Sequence, residues 1–356
     1  MSDAKINKKA YLVLADGTVF NGFSMGEEGT AYGEVVFNTC TASYGELLSD
    51  PTYYGQIVAQ TYPLAGNRGV ENTPSKIMAN GYIVREWCDI GSGGQSLDSY
   101  LKECGIVGIC GIDTRRLTRA IRNKGYMRGA ITDSLNDFDE LIKNIKCYTI
   151  SGAVSAVTIK EPQLTNVPDS KYKIAVLDYG FPRKILEAFW NRACSTAVLP
   201  ACYTKDQVMK FDPDGIFLSD GPGDPDDNPC LIQNIKELEK TGLPIFGIGL
   251  GHQMMALAEG FKIEKMEQGH RGSNQPVLIC ENHNLMVTDQ NHGYSVDKNS
   301  IASDLAEVTM ININDDSVEG IEYKSFKGFG VQFTPDGEPL SSTSWIFKKF
   351  VDMMGE

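Results

Sequence analysis

The run Pro244-Ile-Phe-Gly-Ile-Gly-Leu-Gly-His-Gln253 sets glycines at 247, 249 and 251 between an apolar stretch and a helical pattern. Pro244 to Ile248 suit a buried strand, and Met254, Met255, Leu257 and Ala258 give the following segment one apolar face. A strand that turns this sharply into a helix is how α/β enzymes present a nucleophile. The side chain stands on a strained turn, above backbone N–H groups and a helix N-terminus. Here the residue at the apex is Gly249, which has no side chain to attack with. A second glycine-rich corner, Ser219-Asp-Gly-Pro-Gly-Asp-Pro225, follows the apolar strand pattern Gly215-Ile-Phe-Leu218. His252 sits at the start of the expected helix, and we read it as a hydrogen-bonding partner of a neighbouring loop rather than a base.

These corners need a scaffold, and the second half of the chain supplies its pattern. Lys173–Leu177, Ser195–Leu199, Gly215–Leu218 and Pro244–Ile248 read as strands. They alternate with helical patterns at 184–190, 203–210, 232–238 and beyond 250. This predicts an α/β fold with a doubly wound, mostly parallel sheet, in which ligands sit beyond the carboxyl ends of the strands. Two further strands are expected about Asp315-Asp316, then Gly330–Phe333, then a closing helix from Trp345. The first half reads as a mixed, β-rich α/β domain. It has a hairpin about Asp16-Gly17, strands at 34–37 and 56–62, and a helix N-capped by Asp113. The four arginines of that helix read as a solvated face, with an acidic partner surface as the other reading. Residues 151–171, with Pro162 and Pro168, read as a linker between domains 1–150 and 172–356.

Composition narrows the function classes. Among 356 residues, 33 basic against 46 acidic side chains give a net charge of −13, which argues against nucleic acid as a partner. No run approaches the roughly 18 apolar residues of a membrane span, and the polar start Met1–Lys9 has no signal core, so a cytoplasmic protein is expected. The nine cysteines are odd in number and widely spaced, without C-x-x-C, and read as reduced thiols. The four histidines do not cluster with cysteines at ligand spacing, so no metal site is expected.

Taken in order, the motifs resemble the small, glutaminase subunit of carbamoyl phosphate synthetase over nearly the whole chain. Gly33-Glu-Val-Val-Phe-Asn-Thr39, Asp50-Pro-Thr-Tyr53, Gly55-Gln-Ile-Val58, Thr61-Tyr-Pro63 and Gly111-Ile-Asp-Thr-Arg115 carry the likeness in the first half. In the second half, the corner 219–225, the elbow 247–253, Gln290-Asn-His-Gly-Tyr294 and Val331-Gln-Phe-Thr-Pro335 are similar to a class I glutamine amidotransferase domain. The resemblance implies acyl transfer: a cysteine thiolate attacks the glutamine amide, a histidine activates it, and a carboxylate orients the histidine. Ammonia then passes to a large subunit, the implied partner, which also holds the ATP and Mg; no cofactor belongs to this subunit. Pyrimidine or arginine synthesis is the implied setting.

Residue by residue, the implied triad falls on Gly249, Thr334 and Asp336. Glycine cannot attack and threonine cannot replace the imidazole. A water acting in their place would lack the ~10²–10⁴ of general-base catalysis. The implied glutamine pocket falls on Thr52, Gly221, Gly223, Leu250, Gln253, Asn291, Gly293 and Tyr294. Two readings of it stand. Either glutamine still binds, or the glycines serve only their turns, Gln253 bonds backbone near the elbow, and Asn291 and His292 close a loop. The segment His270-Arg-Gly-Ser-Asn-Gln-Pro276 is similar to that of the ammonia-using synthetases of vertebrate urea synthesis. The expectation is a pseudo-glutaminase subunit of an ammonia-using complex. Its rivals are a glutamine-binding sensor, and a glutaminase still active through another cysteine such as Cys40, Cys230 or Cys280.

Overall fold

The computed structural model describes residues 8–39, 44–67, 69–70, 77–88, 94–338 and 340–355. The chain divides into two compact units, residues 1–150 with 267–271, and residues 151–266 with 272–356.

In the first unit, Asp16-Gly17 turns β1 (Lys9–Leu14) into β2 (Val19–Gly26), with Gly17 at a φ of +85°. The chain continues through β3 (Ala31–Asn38), α1 (Tyr44–Ser49), β4 (Gln56–Gln60), β5 (Leu64–Ala65), β6 (Gly81–Ile83) and β7 (Glu86–Trp87). It then forms α2 (Leu97–Glu103), β8 (Val107–Cys110), α3 (Thr114–Lys124), β9 (Met127–Thr132) and α4 (Phe138–Cys147). The strands close a barrel in the order β1-β2-β8-β6-β4-β3-β9, and β5 and β7 pair separately. Its β3, β4, β6 and β8 run parallel, and the remaining pairings are antiparallel. Alternating side chains such as Leu12, Leu14, Val35, Ile57, Ile83 and Ile131 fill one core. Asp113 caps α3 by accepting from the Arg116 N–H at 3.0 Å. Leu117 and Ile121 of that helix are buried, and Arg115, Arg116, Arg119 and Arg122 are exposed.

The second unit opens with a finding that differs from expectation. Residues 151–171, read as a linker, form α5 (Ala153–Val157) and β10 (Gln163–Thr165). Val154 is buried in the core, and β10 adds an antiparallel edge strand to the main sheet. The prolines and turn residues there interrupt regular structure without freeing the segment from packing.

There follow β11 (Tyr172–Asp178), α6 (Ile185–Trp190), β12 (Cys194–Pro200), α7 (Lys205–Met209), β13 (Gly215–Leu218), α8 (Pro229–Glu239), β14 (Ile245–Ile248) and α9 (Leu250–Ala258). A long hairpin comes next, β15 (Ile263–Ile279) and β16 (Leu285–Val296), and then β17 (Ala306–Asn312), β18 (Val318–Tyr323), β19 (Gly328–Val331) and α10 (Trp345–Met354). The sheet has ten strands in the order β10-β12-β11-β13-β14-β19-β18-β17-β15-β16. Its centre, β12-β11-β13-β14-β19, is parallel. Along β11, Ala175 and Leu177 pack with α7, α8 and α9, whereas Ile174 and Val176 pack with α6 and α10. Strand alternation thus builds a helical layer on each face, as expected for a doubly wound sheet. The hairpin of β15 and β16 had no counterpart in the sequence reading. Among the described residues, no helix is long and apolar enough to cross a membrane.

Candidate functional site

The carboxyl ends of β13 and β14 lie side by side, so the two glycine-rich corners meet. The strand β14 ends at Ile248, and Gly249 turns the chain with φ +49° and ψ −114°. That conformation is strained for any residue with a Cβ. The Gly249 N–H donates to the Val331 carbonyl at 3.0 Å, and its own carbonyl accepts from the Gln253 N–H at 3.1 Å. Gly251 lets α9 press against β13: a Cβ there would stand 2.3 Å from the Leu218 carbonyl oxygen. Its N–H donates to Ser219 O at 3.0 Å. The sharp strand-to-helix corner read from the sequence is therefore present.

Asp220 completes the corner. Its Oδ1 accepts from the Gly221 N–H at 2.7 Å and from the Leu250 N–H, the first of α9, at 2.9 Å. A Cβ placed on Gly249 would lie 2.0 Å from the same Oδ1 and 2.2 Å from Cγ. The space a side chain at 249 would need is filled by this carboxylate. In the sequence Asp220 stands out only as part of the corner motif 219–225. Its contact with the elbow spans 30 positions and exists only once β13 and β14 pair. The missing side chain at 249 was the one signal that a neighbour fills the gap.

The remaining pocket positions fall as follows. Leu250 is buried, and Gly221 lies against the Tyr179 carbonyl, 2.4 Å from where its Cβ would be. Gly223 takes a φ of +94° beside Ala153. Gln253 is buried, and its Nε2 donates to the Tyr294 carbonyl and to Gln332 Oε1, each at 2.9 Å. It thus bonds backbone, as one of the two readings held, but on β16 rather than next to the elbow. Asn291, Gly293 and Tyr294 are strand residues of β16, so Asn291 and His292 do not close a loop. His292 Nδ1 also meets the Tyr294 carbonyl at 2.9 Å, and the Tyr294 hydroxyl donates to Asp224 Oδ2 at 2.9 Å. Thr52 belongs to the first unit, where its hydroxyl donates to Asp50 Oδ1 at 2.7 Å.

Thr334 and Asp336, where the resemblance puts the rest of the triad, supply no imidazole. Thr334 follows β19, and its N–H donates to the Asp289 carbonyl at 3.0 Å. Asp336 is exposed, and its Oδ1 accepts from the Glu338 N–H at 3.1 Å. His252 does not bond a neighbouring loop. It is fully buried, neither ring nitrogen has a hydrogen-bond partner among the described residues, and burial holds its pKa down to about 3. A ring that stays neutral there, packed close against Gly330, is no spare base. Cys230 is exposed and Cys280 is half-buried; Cys40 lies outside the described residues.

The comparisons with known proteins agree with the layout. The family described as "Carbamoyl-phosphate synthase small chain, CPSase domain" matches residues 12–131, and "Glutamine amidotransferase class-I" matches residues 175–353. The carbamoyl phosphate synthase small chain of Chlorobaculum tepidum is 42% identical over 357 residues, covering 97% of each chain. That of Syntrophotalea carbinolica is 42% identical, covering 97% of this chain and 98% of its own. That of Clostridium acetobutylicum is 39% identical over 97% of this chain and all of its own. The chain belongs to the carbamoyl phosphate synthase small-chain family.

Proposed function

We propose that this protein is a small subunit that does not hydrolyse glutamine and instead supports a synthetase large subunit running on free ammonia. The observation that carries the reading is the elbow itself. It has the backbone of a nucleophile turn, but Gly249 at its apex, with Asp220 filling the space where a nucleophile would stand. Acyl transfer needs a nucleophile with a base within hydrogen-bond reach. Gly249 supplies no nucleophile, and neither Thr334 nor neutral His252 supplies a base for one. ATP and Mg act on the large subunit in this reading, and the subunit's part is to cap or regulate its partner in the cytoplasm.

The test is reconstitution with a synthetase large subunit. Carbamoyl phosphate is expected to form with ammonium and not with glutamine, and no glutamate should be released. Glutamine-dependent synthesis at the rate of an intact pair would overturn the proposal. The sensor reading draws no support from the elbow, because its paired N–H donors are already occupied by Asp220.

A further inference from the structure

We propose that the Asp220 carboxylate is a built-in plug, held where both a nucleophile's side chain and a substrate's carbonyl oxygen would have to sit. The inference rests on reading Gly249 as the place of a lost nucleophile. Two donors from separate corners, the N–H groups of Gly221 and Leu250, converge on one oxygen at 2.7 and 2.9 Å. Convergent backbone N–H groups beside a nucleophile turn are what hold the oxygen of an amide under attack. One of them opens a nine-residue helix, where the helix dipole favours an anion. Asp220 brings that anion from within the chain, and its side chain is almost wholly buried.

The plug and a side chain at 249 exclude each other. With a Cβ at 249 only 2.0 Å from Oδ1 and 2.6 Å from Oδ2, the carboxylate must leave before any residue larger than glycine fits. An amide ligand faces the same conflict, since its carbonyl oxygen needs donors already taken. The site is therefore closed by occupation as well as emptied of catalytic groups. Putting a cysteine at 249 and a histidine at 334 would not by itself reopen it.

A thermal double-mutant cycle tests the exclusion. Gly249→Ala should lower the melting temperature of the full chain. The same change made in an Asp220→Ala background should cost less than half as much, because only the backbone strain remains. Equal losses in both backgrounds would overturn the proposal. If Gly249→Ala alone does not fold but the double variant does, the coupling is shown directly. Asp220→Ser provides a second background in which the side chain is short but polar. Titration calorimetry with glutamine tests closure to substrate: Asp220→Ala should bind at least about tenfold more tightly than the unaltered chain. No gain would overturn this closure. The thermal cycle contains no glutamine and no large subunit, so its failure is separate from any failure of the proposed function.

Discussion

The helix α9 carries carboxylates near both of its ends, and the two are treated in opposite ways. At the N-terminal end, Asp220 is buried but receives two backbone N–H donors. Near the C-terminal end, Glu259 is the C-cap, and Glu239 approaches it from the end of α8. One oxygen of Glu239 is buried without a hydrogen-bond partner among the described residues. Burial first, and then the Glu259 charge, push the Glu239 pKa up to about 8. The same side-chain chemistry is settled where donors and the positive end of the helix face it. It is costly where a second acid and the negative end do. The elbow is thus a finished structure, while the far end of its helix holds a carboxyl group that keeps its proton up to about pH 8.

The comparison breaks most sharply at Gly249. Gly249→Cys adds backbone strain of about 1–3 kcal/mol to a collision with Asp220, and should give the largest loss of stability. At ~2–4 °C per kcal/mol for a domain of this size, a fall of several degrees in melting temperature is expected. A cysteine variant as stable as the original would show that the carboxylate moves aside freely. Gly251→Ala should come next. Its Cβ would meet a backbone oxygen, Leu218 O, at 2.3 Å, and backbone yields less readily than a side chain. A loss of about 1–3 kcal/mol is expected from overpacking, measured by denaturant unfolding. An unchanged midpoint would mean that α9 is not pressed on β13 as described.

At the other end the effect depends on pH. An unfolded glutamate titrates near 4.3, while folded Glu239 holds its proton to about 8. Between those values the folded chain binds more protons than the unfolded one. Stability therefore falls as pH rises through that window and levels off above it. Glu239→Gln removes the dependence. It should be neutral below about pH 4 and should raise the melting temperature by ~2–4 °C above pH 8. A gain of the same size at every pH would assign the effect to packing instead.

Much of the elbow was legible because its signals are local. An apolar run, spaced glycines and a helical pattern fix a strand, a turn and a helix within fifteen residues, and β14, Gly249 and α9 follow. The alternation of strands and helices gave the doubly wound sheet for the same reason. What escaped is what tertiary pairing creates. The contact of Asp220 with position 249, the closure of the barrel through β1 and β9, and the docking of residues 151–171 all join segments distant in sequence. The strand β15 escaped for another reason. Glu264, Lys265, Glu267, Gln268 and Arg271 mask any apolar period, so its extended form shows only in the ladder. Asn291 and His292, which one reading placed in a loop, continue the alternation of less and more buried positions that runs along β16 from Leu285.

Asp336 supplies the weakest and cleanest contrast with Asp220. Both are aspartates at places where the family chemistry would put a functional group or its neighbour, and both accept from a backbone N–H. Asp220 is buried and bridges two corners of the sheet, whereas Asp336 is exposed and its carboxylate accepts from the Glu338 N–H two residues on. A water can replace that bond, so Asp336→Ala should change stability by no more than about 0.5 kcal/mol, and reconstituted synthesis from ammonium should not change. A loss as large as that of Asp220→Ala would mean that the position retains a structural role beyond its turn. A fall in ammonium-driven synthesis without loss of stability would mean that Asp336 acts on the partner.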